Sequence, residues 1–265
     1  MISLKNIAIV FNKGTPDENL ALNNINLSIK EGDFITIIGS NGAGKSTLFN
    51  IISGSYFPTS GTVSINNIDV TRHAEYKRAK YIGRIFQNPL MGTAGNMSLE
   101  DNMMISYKKG FKWPILSLNQ KMRQFFQDEL KQLDMGLENR LRDNVGLFSG
   151  GQRQALTLLM MVLSQPALIL LDEHTAALDP KNAALVLELT SHFVKKYNLT
   201  TMMITHNMNH AIEYGNRLFM MDKGEVIFDV QGEEKKALTQ ARLIEKFHEI
   251  RHSEFDNDKV LLSQD

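Results

Sequence analysis

The stretch Phe34-Ile35-Thr36-Ile37-Ile38-Gly39-Ser40-Asn41-Gly42-Ala43-Gly44-Lys45-Ser46-Thr47 decides how the rest of the chain is read. Its first five residues are a short apolar, β-branched run, which predicts a buried strand. From Lys45 to Ile52 the apolar residues fall at helical spacing. Between the two, Gly39 and Gly44 frame four positions and are followed by Lys and Ser, which is the phosphate-loop pattern in the strand, loop and helix setting that its mechanism needs. Glycine lets backbone N–H groups face phosphates with no Cβ in the way, and the helix that follows brings its positive end there. Lys45 would neutralise the β- and γ-phosphates and Ser46 would hold Mg²⁺. The loop from Gly39 to Thr47 is therefore predicted to bind a nucleoside triphosphate, against the plain alternative of a glycine-rich structural turn.

Composition narrows the field around that loop. At 265 residues the chain can bury a core large enough for an enzyme. Lys plus Arg and Asp plus Glu both number 29, so no overall field draws it to nucleic acid or anionic lipid, and no nucleic-acid partner is expected. The absence of cysteine excludes disulfides, thiolate metal sites and cysteine nucleophiles. The N-terminus enters a strand pattern at once and resembles no targeting peptide. The most apolar stretch, Ala155 to Leu171, is broken by Ser164-Gln165-Pro166, where a helix should end and a strand begin.

The pattern along the chain predicts an α/β fold: a mixed-sheet core with antiparallel strands at its N-terminus and an inserted helical subdomain. Leu4 to Phe11 and Leu22 to Ile37 alternate apolar and polar residues, with turn clusters at Asn12-Lys13-Gly14 and Glu31-Gly32-Asp33. Further strands are predicted at Gly61 to Ile65, Ile82 to Phe86, Leu168 to Leu171 and Thr200 to Thr205. A hairpin is expected at Asp222-Lys223-Gly224. Residues 1–88 and 150–230 then form the core and 89–149 the helical insertion, where Met, Gln and Lys become frequent. There Ser117-Leu118-Asn119-Gln120 fits a capping box, and Met122, Phe125, Phe126, Leu130 and Leu133 share one apolar face. Helices are also predicted from Gln152 and from about Asn182. Residues 231–265 carry a helix at Thr239 to Ile250 and a frayed end.

Two further sites carry chemistry. Leu168-Ile169-Leu170-Leu171-Asp172-Glu173 is an apolar run that ends in two acids. Asp172 would hold Mg²⁺ through its water shell and Glu173 would deprotonate the attacking water; a cap on the next helix is the ordinary alternative. Phe148-Ser149-Gly150-Gly151-Gln152 opens a helix, making a second anion-binding N-terminus that one nucleotide does not need, with a plain helix cap as the ordinary alternative. That surplus points to a second molecule's nucleotide.

The phosphate loop, Gln87 after a strand, Phe-Ser-Gly-Gly-Gln at 148–152, Asp172-Glu173, Ala177-Leu178-Asp179 and His206 after Met203-Ile204-Thr205 resemble the ATP-binding cassette ATPases, in that family's order, from about Leu4 to Asp229. The resemblance implies a head-to-tail homodimer with two ATP molecules between subunits. Lys45 of one chain would hold a γ-phosphate that meets Ser149, Gly150, Gly151 and Gln152 of the other, with Asp179 crossing the interface. Gln87 would touch Mg²⁺ and water, His206 would bond the γ-phosphate and Glu173, and Phe11 falls where the family stacks an aromatic on adenine. Ser40, Asn41, Gly42, Ala43 and Thr47 complete the nucleotide loop. Phe148 replaces the family's usual Leu. His174 stands where many members have Pro, and either perturbs Glu173 or fills space.

The resemblance further implies a transporter ATPase at the cytoplasmic face of the cell membrane, of the importer type, in a bacterial group linked to amino-acid uptake. Its partners would be integral membrane permease subunits and, indirectly, a solute-binding protein. The groove beside Gln87-Asn88-Pro89 and Met91 to Met97 would receive the permease, unless those methionines are buried. The alternative is a soluble ATPase of the iron-sulfur cluster assembly type with no membrane partner. A chromosome-type member would need a long coiled coil, and no sustained heptad run is present.

Overall fold

A computed structural model describes residues 1–107, 118–247 and 249. The first sheet is antiparallel and joins β1 (Ile2–Phe11), β2 (Asn19–Ile29), β4 (Ser60–Ile65) and β5 (Ile68–Asp69) in the order β2-β1-β4-β5. The second contains β3 (Phe34–Gly39), β6 (Ile82–Ile85), β7 (Leu168–Asp172), β8 (Thr201–Ile204), β9 (Arg217–Asp222) and β10 (Glu225–Gln231), ordered β10-β9-β3-β8-β7-β6. Its neighbours run parallel except that β10 returns antiparallel on β9 across the expected hairpin. The mixed sheet and the N-terminal antiparallel strands are as expected.

Both faces of the second sheet are covered, which is why its strands read as continuous apolar runs rather than alternating ones. Leu168 and Leu170 of β7 pack with the buried Leu48, Phe49, Ile51 and Ile52 of α1 (Lys45–Ser53) and with the first sheet. Ile169 and Leu171 point the other way, into a core shared with α5 (Gly150–Leu163) and α6 (Pro180–Tyr197). The period of two therefore divides one strand between two cores.

Between β6 and α5 lie α3 (Leu99–Tyr107) and α4 (Gln120–Leu130), with short 3₁₀ turns after them. Phe126, Leu130 and Leu133 are fully buried, and Met122 and Phe125 pack beside them, so the expected apolar face forms. The cap of α4 is Asn119, whose side chain accepts from the Met122 N–H at 2.9 Å, rather than Ser117, which lies outside the described residues. The helix predicted from Gln152 begins at Gly150, and the one predicted near Asn182 begins at Pro180, because Ser149 and Asp179 are the caps and proline suits the first turn. Helix α5 ends at Leu163 and Gln165 turns the chain at φ 47° before β7. Among the described residues no helix is long and apolar enough to cross a membrane.

Short elements escaped the sequence reading: α2 (Glu75–Arg78), α7 (Met208–Glu213) and α8 (Gly232–Lys236). Residues 240–247 are helical as expected, while Ile250 and the rest of the C-terminal tail lie outside the described residues. The Lys235 ammonium is buried and donates to the carbonyls of Ile212, Tyr214 and Gly215, closing the end of α7. Burial pushes its pKa down to about 8.

Candidate active site

Four adjacent strands deliver the predicted residues to one edge. β3 runs into the phosphate loop, β8 ends before His206, β7 ends in Asp172 and Glu173, and β6 leads to Gln87. Parallel strands in an open α/β sheet place their ligands at the carboxyl ends.

The loop itself is held from two sides. A Cβ on Gly39 would strike the Met221 carbonyl, and one on Gly44, at φ 95°, would stand 2.8 Å from the Ala21 carbonyl, so only glycine fits at either position. Ser40 Oγ donates to Asp222 Oδ1 at 2.8 Å, and the Gly224 N–H donates to the Ala43 carbonyl at 3.2 Å. The β9–β10 turn thus forms the floor of the loop. Asn41, Gly42 and Ser46 face solvent and Thr47 is half-buried. Lys45 Nζ folds back to donate to the Gly39 and Ser40 carbonyls at 2.8 and 2.9 Å. Burial lowers its pKa, and the nearby Glu173 and Asp172 oppose that shift.

Glu173 sits at φ 49°, a left-handed conformation that a β-carbon disfavours. Its N–H donates to the Ile204 carbonyl at 3.2 Å, tying the acid to the neighbouring strand. His206 Nε2 lies 2.6 Å from Glu173 Oε1, so the predicted base and its predicted histidine partner meet. Asp172 Oδ2 accepts from Arg84 Nη2 at 2.8 Å. Ser46, Asp172 and Gln87 offer a hydroxyl, a carboxylate and an amide oxygen. These hard donors fit a hydrated magnesium ion shared with phosphates. Among the described residues no group of three His, Asp or Glu side chains could cage an ion alone.

His174 is buried and neutral at pH 7, its pKa lowered to about 4 by desolvation first and by His210 second. Thr190 donates its hydroxyl to the Val186 carbonyl, so His174 Nε2–H donates to Thr190 Oγ1 at 3.2 Å. It therefore fills space and binds α6, and places no charge beside Glu173. Phe11 is half-buried at the end of β1, edge-on to Tyr56 with ring centroids 5.4 Å apart.

Ser149, Gly150, Gly151 and Gln152 stand apart from this edge. Ser149 Oγ accepts from the Gln152 N–H and Gln152 Oε1 accepts from the Ser149 N–H, a reciprocal capping box. A Cβ on Gly151 would stand 2.6 Å from Asn182, which Asp179 holds by two bonds at the start of α6. Among the described residues no hydrogen bond joins 149–152 to the phosphate loop.

Three residues of the site were missed by the sequence reading. Gln154, buried in α5, donates to the carbonyls of Phe86 at 3.2 Å and His174 at 2.6 Å, joining the strand end before Gln87 to the residue after Glu173. A glutamine in an apolar helix was the available signal. Arg84 was likewise visible as a charge within Ile82-Gly83-Arg84-Ile85-Phe86. Asp222 carried none beyond its turn.

Known proteins share the sequence pattern and the fold. Residues 22–176 match the ABC transporter family. The chain is 42% identical, over 93% of its own length and 98% of the relative's, to a tyrosine transport ATP-binding protein of Clostridioides difficile. It is 31% identical, over 92% and 85% of the two lengths, to an energy-coupling factor transporter ATP-binding protein of Streptococcus pyogenes. Among solved structures, it resembles a dimeric ATP-binding cassette bound to ADP and Pi (TM-score 0.71, 29% identity, 87% of this chain and 98% of that one). A cassette from Clostridium perfringens that is part of an ABC transporter complex aligns with TM-score 0.74 at 26% identity, over 92% and 93%. With the family matched over more than half its length and relatives aligned almost end to end, the chain belongs to the ABC transporter family, as an ATP-binding ATPase subunit.

Proposed function

We propose that this ATPase subunit drives an amino-acid importer, acting as a homodimer on the cytoplasmic face of the membrane, with permease subunits and a solute-binding protein as partners. The tyrosine transport relative supports the substrate class. The dimeric cassette supports the assembly. Residues 1–88 and 150–230 serve as the catalytic core and 89–149 as the helical subdomain. Leu90 and Met91 beside Gln87 are largely exposed, an adaptable apolar surface suited to a permease helix.

The observation that carries the catalytic reading is the 2.6 Å contact between Glu173 and His206 at the mouth of the phosphate loop. Glu173 accepts the proton of the attacking water, and His206 orients that carboxylate and bonds the γ-phosphate. Lys45 leaves the Gly39 and Ser40 carbonyls to neutralise the phosphates, which the loop from Gly39 to Thr47 cradles. Phe11 packs against adenine. Ser46, Asp172 and Gln87 would hold Mg²⁺, which would offset the charge that develops on the phosphate oxygens. Ser149, Gly150, Gly151, Gln152 and Asp179 of the partner complete the site across the interface.

Glu173→Gln tests this reading. The variant should bind ATP normally, accumulate as an ATP-bound dimer on gel filtration, and hydrolyse at least roughly a hundredfold more slowly, as loss of a general base predicts. Turnover close to wild type would remove Glu173 from the role of base.

A further inference from the structure

Two arginines of this chain, Arg78 fully buried and Arg84 partly so, are built to different standards. Arg78 has every side-chain nitrogen bonded to carbonyls: Nε to His73, Nη1 to Ile51 and Ile52, Nη2 to Thr71. Arg84, on β6, places Nη1 on Asn50 Oδ1 at 2.6 Å and Nη2 on Asp172 Oδ2 at 2.8 Å and lies over the Phe86 ring at 4.8 Å, while its buried Nε has no hydrogen-bond partner. The side chains of the Arg84–Asp172 pair are 13% and 17% exposed. A permanent structural cation in such a place should be fully satisfied, because an orphaned buried donor is costly. The imperfect fit suits a charge whose partner is to be shared.

That partner is the carboxylate assigned to magnesium. Asp172 and Glu173 are consecutive acids, and each meets a nitrogen-bearing side chain: His206 on Glu173, Arg84 on Asp172. Lys45 lies within electrostatic reach of both acids. We propose that Arg84 is a resident counter-cation of the nucleotide site, which neutralises Asp172 before metal arrives and opposes the divalent ion when it binds. This rests on the reading of Asp172 as part of the metal site. Charge decides the sign. Arg84 is bonded to the carboxylate that would face the metal, and in a partly buried site its repulsion of a divalent ion would outweigh the small entropic benefit of a fixed Asp172 rotamer. The same cation lessens the repulsion between the two acids and metal-free ATP. Arg84 thus makes nucleotide binding less dependent on magnesium, and metal binding weaker, than the acids alone would dictate.

The test uses the full-length protein and two uncharged variants, Arg84→Met and Arg84→Gln, the second keeping a hydrogen-bond donor toward Asp172. Manganese binding to the protein saturated with a non-hydrolysable ATP analogue is followed by the electron paramagnetic resonance of free Mn²⁺. Binding of a fluorescent ATP analogue is measured separately in EDTA. Both variants should bind Mn²⁺ about tenfold more tightly and the metal-free nucleotide several-fold more weakly, with Arg84→Lys, which keeps the charge but not the fork, between them and wild type. Unchanged or weaker Mn²⁺ binding in the variant that folds would overturn the proposal and make Arg84 an orienting group only. Asp172→Asn separates the two readings: if it leaves Mn²⁺ affinity unchanged, the assignment of Asp172 to the metal fails. If it weakens Mn²⁺ while the Arg84 variants do not tighten it, the counter-cation alone fails.

Discussion

Glu173 carries its carboxylate on a backbone at φ 49°, and the strain is tolerated because the Ile204 carbonyl and His206 fix both its main chain and its side chain. Once the side chain is removed, the conformation favours glycine. Glu173→Gly should therefore be more stable than Glu173→Ala by about 1 kcal/mol, read as a higher urea midpoint. Equal midpoints would mean that the turn relaxes when the acid is lost. Glu173, Lys45 and His206 were legible in the sequence because each interrupts an apolar strand or follows a glycine loop, where ordinary packing gives no reason for its type. Arg84 and Gln154 were harder to read. Their partners are a distant carboxylate, an amide and two main-chain carbonyls, and a carbonyl is the same in every residue.

At the scale of elements, α1 is fixed at both ends. Its N-terminus forms the phosphate loop, and its C-terminal carbonyls at Ile51 and Ile52 are bonded by Arg78, which has no exposed surface. Burial pushes the Arg78 pKa down to about 10, so it remains a cation at pH 7 and opposes the negative end of the helix dipole. Arg78→Met should lower stability by about 3 kcal/mol, because it leaves several buried carbonyls unpaired. A loss under about 1 kcal/mol in thermal unfolding would mean that water replaces the guanidinium. Periodicity located α1, α4 and α5, but their starts depended on caps. Ser149 and Asp179 had already been assigned to an interface, and the structure finds both capping helices as well. The short α2 and α7 are too brief for periodicity to register.

At the scale of the whole molecule, the proposed dimer has the two anion sites of one chain serve different nucleotides. Ser149→Arg should abolish hydrolysis while leaving nucleotide affinity of the monomer within about twofold, since an added side chain at a helix cap obstructs a partner's phosphate and not the chain's own. Measured by fluorescent ATP titration beside a phosphate-release assay, equal loss of both would place the signature in the chain's own site. The order of strands has another consequence, for synthesis. The neighbours of β3 in its sheet are β8 and β9, paired from Thr201 and Arg217 onward. On the ribosome the phosphate-loop strand emerges with both edges bare and stays so until those later strands follow, roughly ten seconds or more at ordinary elongation rates. Over that interval a nascent chain offers an unpaired, β-branched segment to any other strand nearby, so the topology itself leaves this segment open to mispairing during translation.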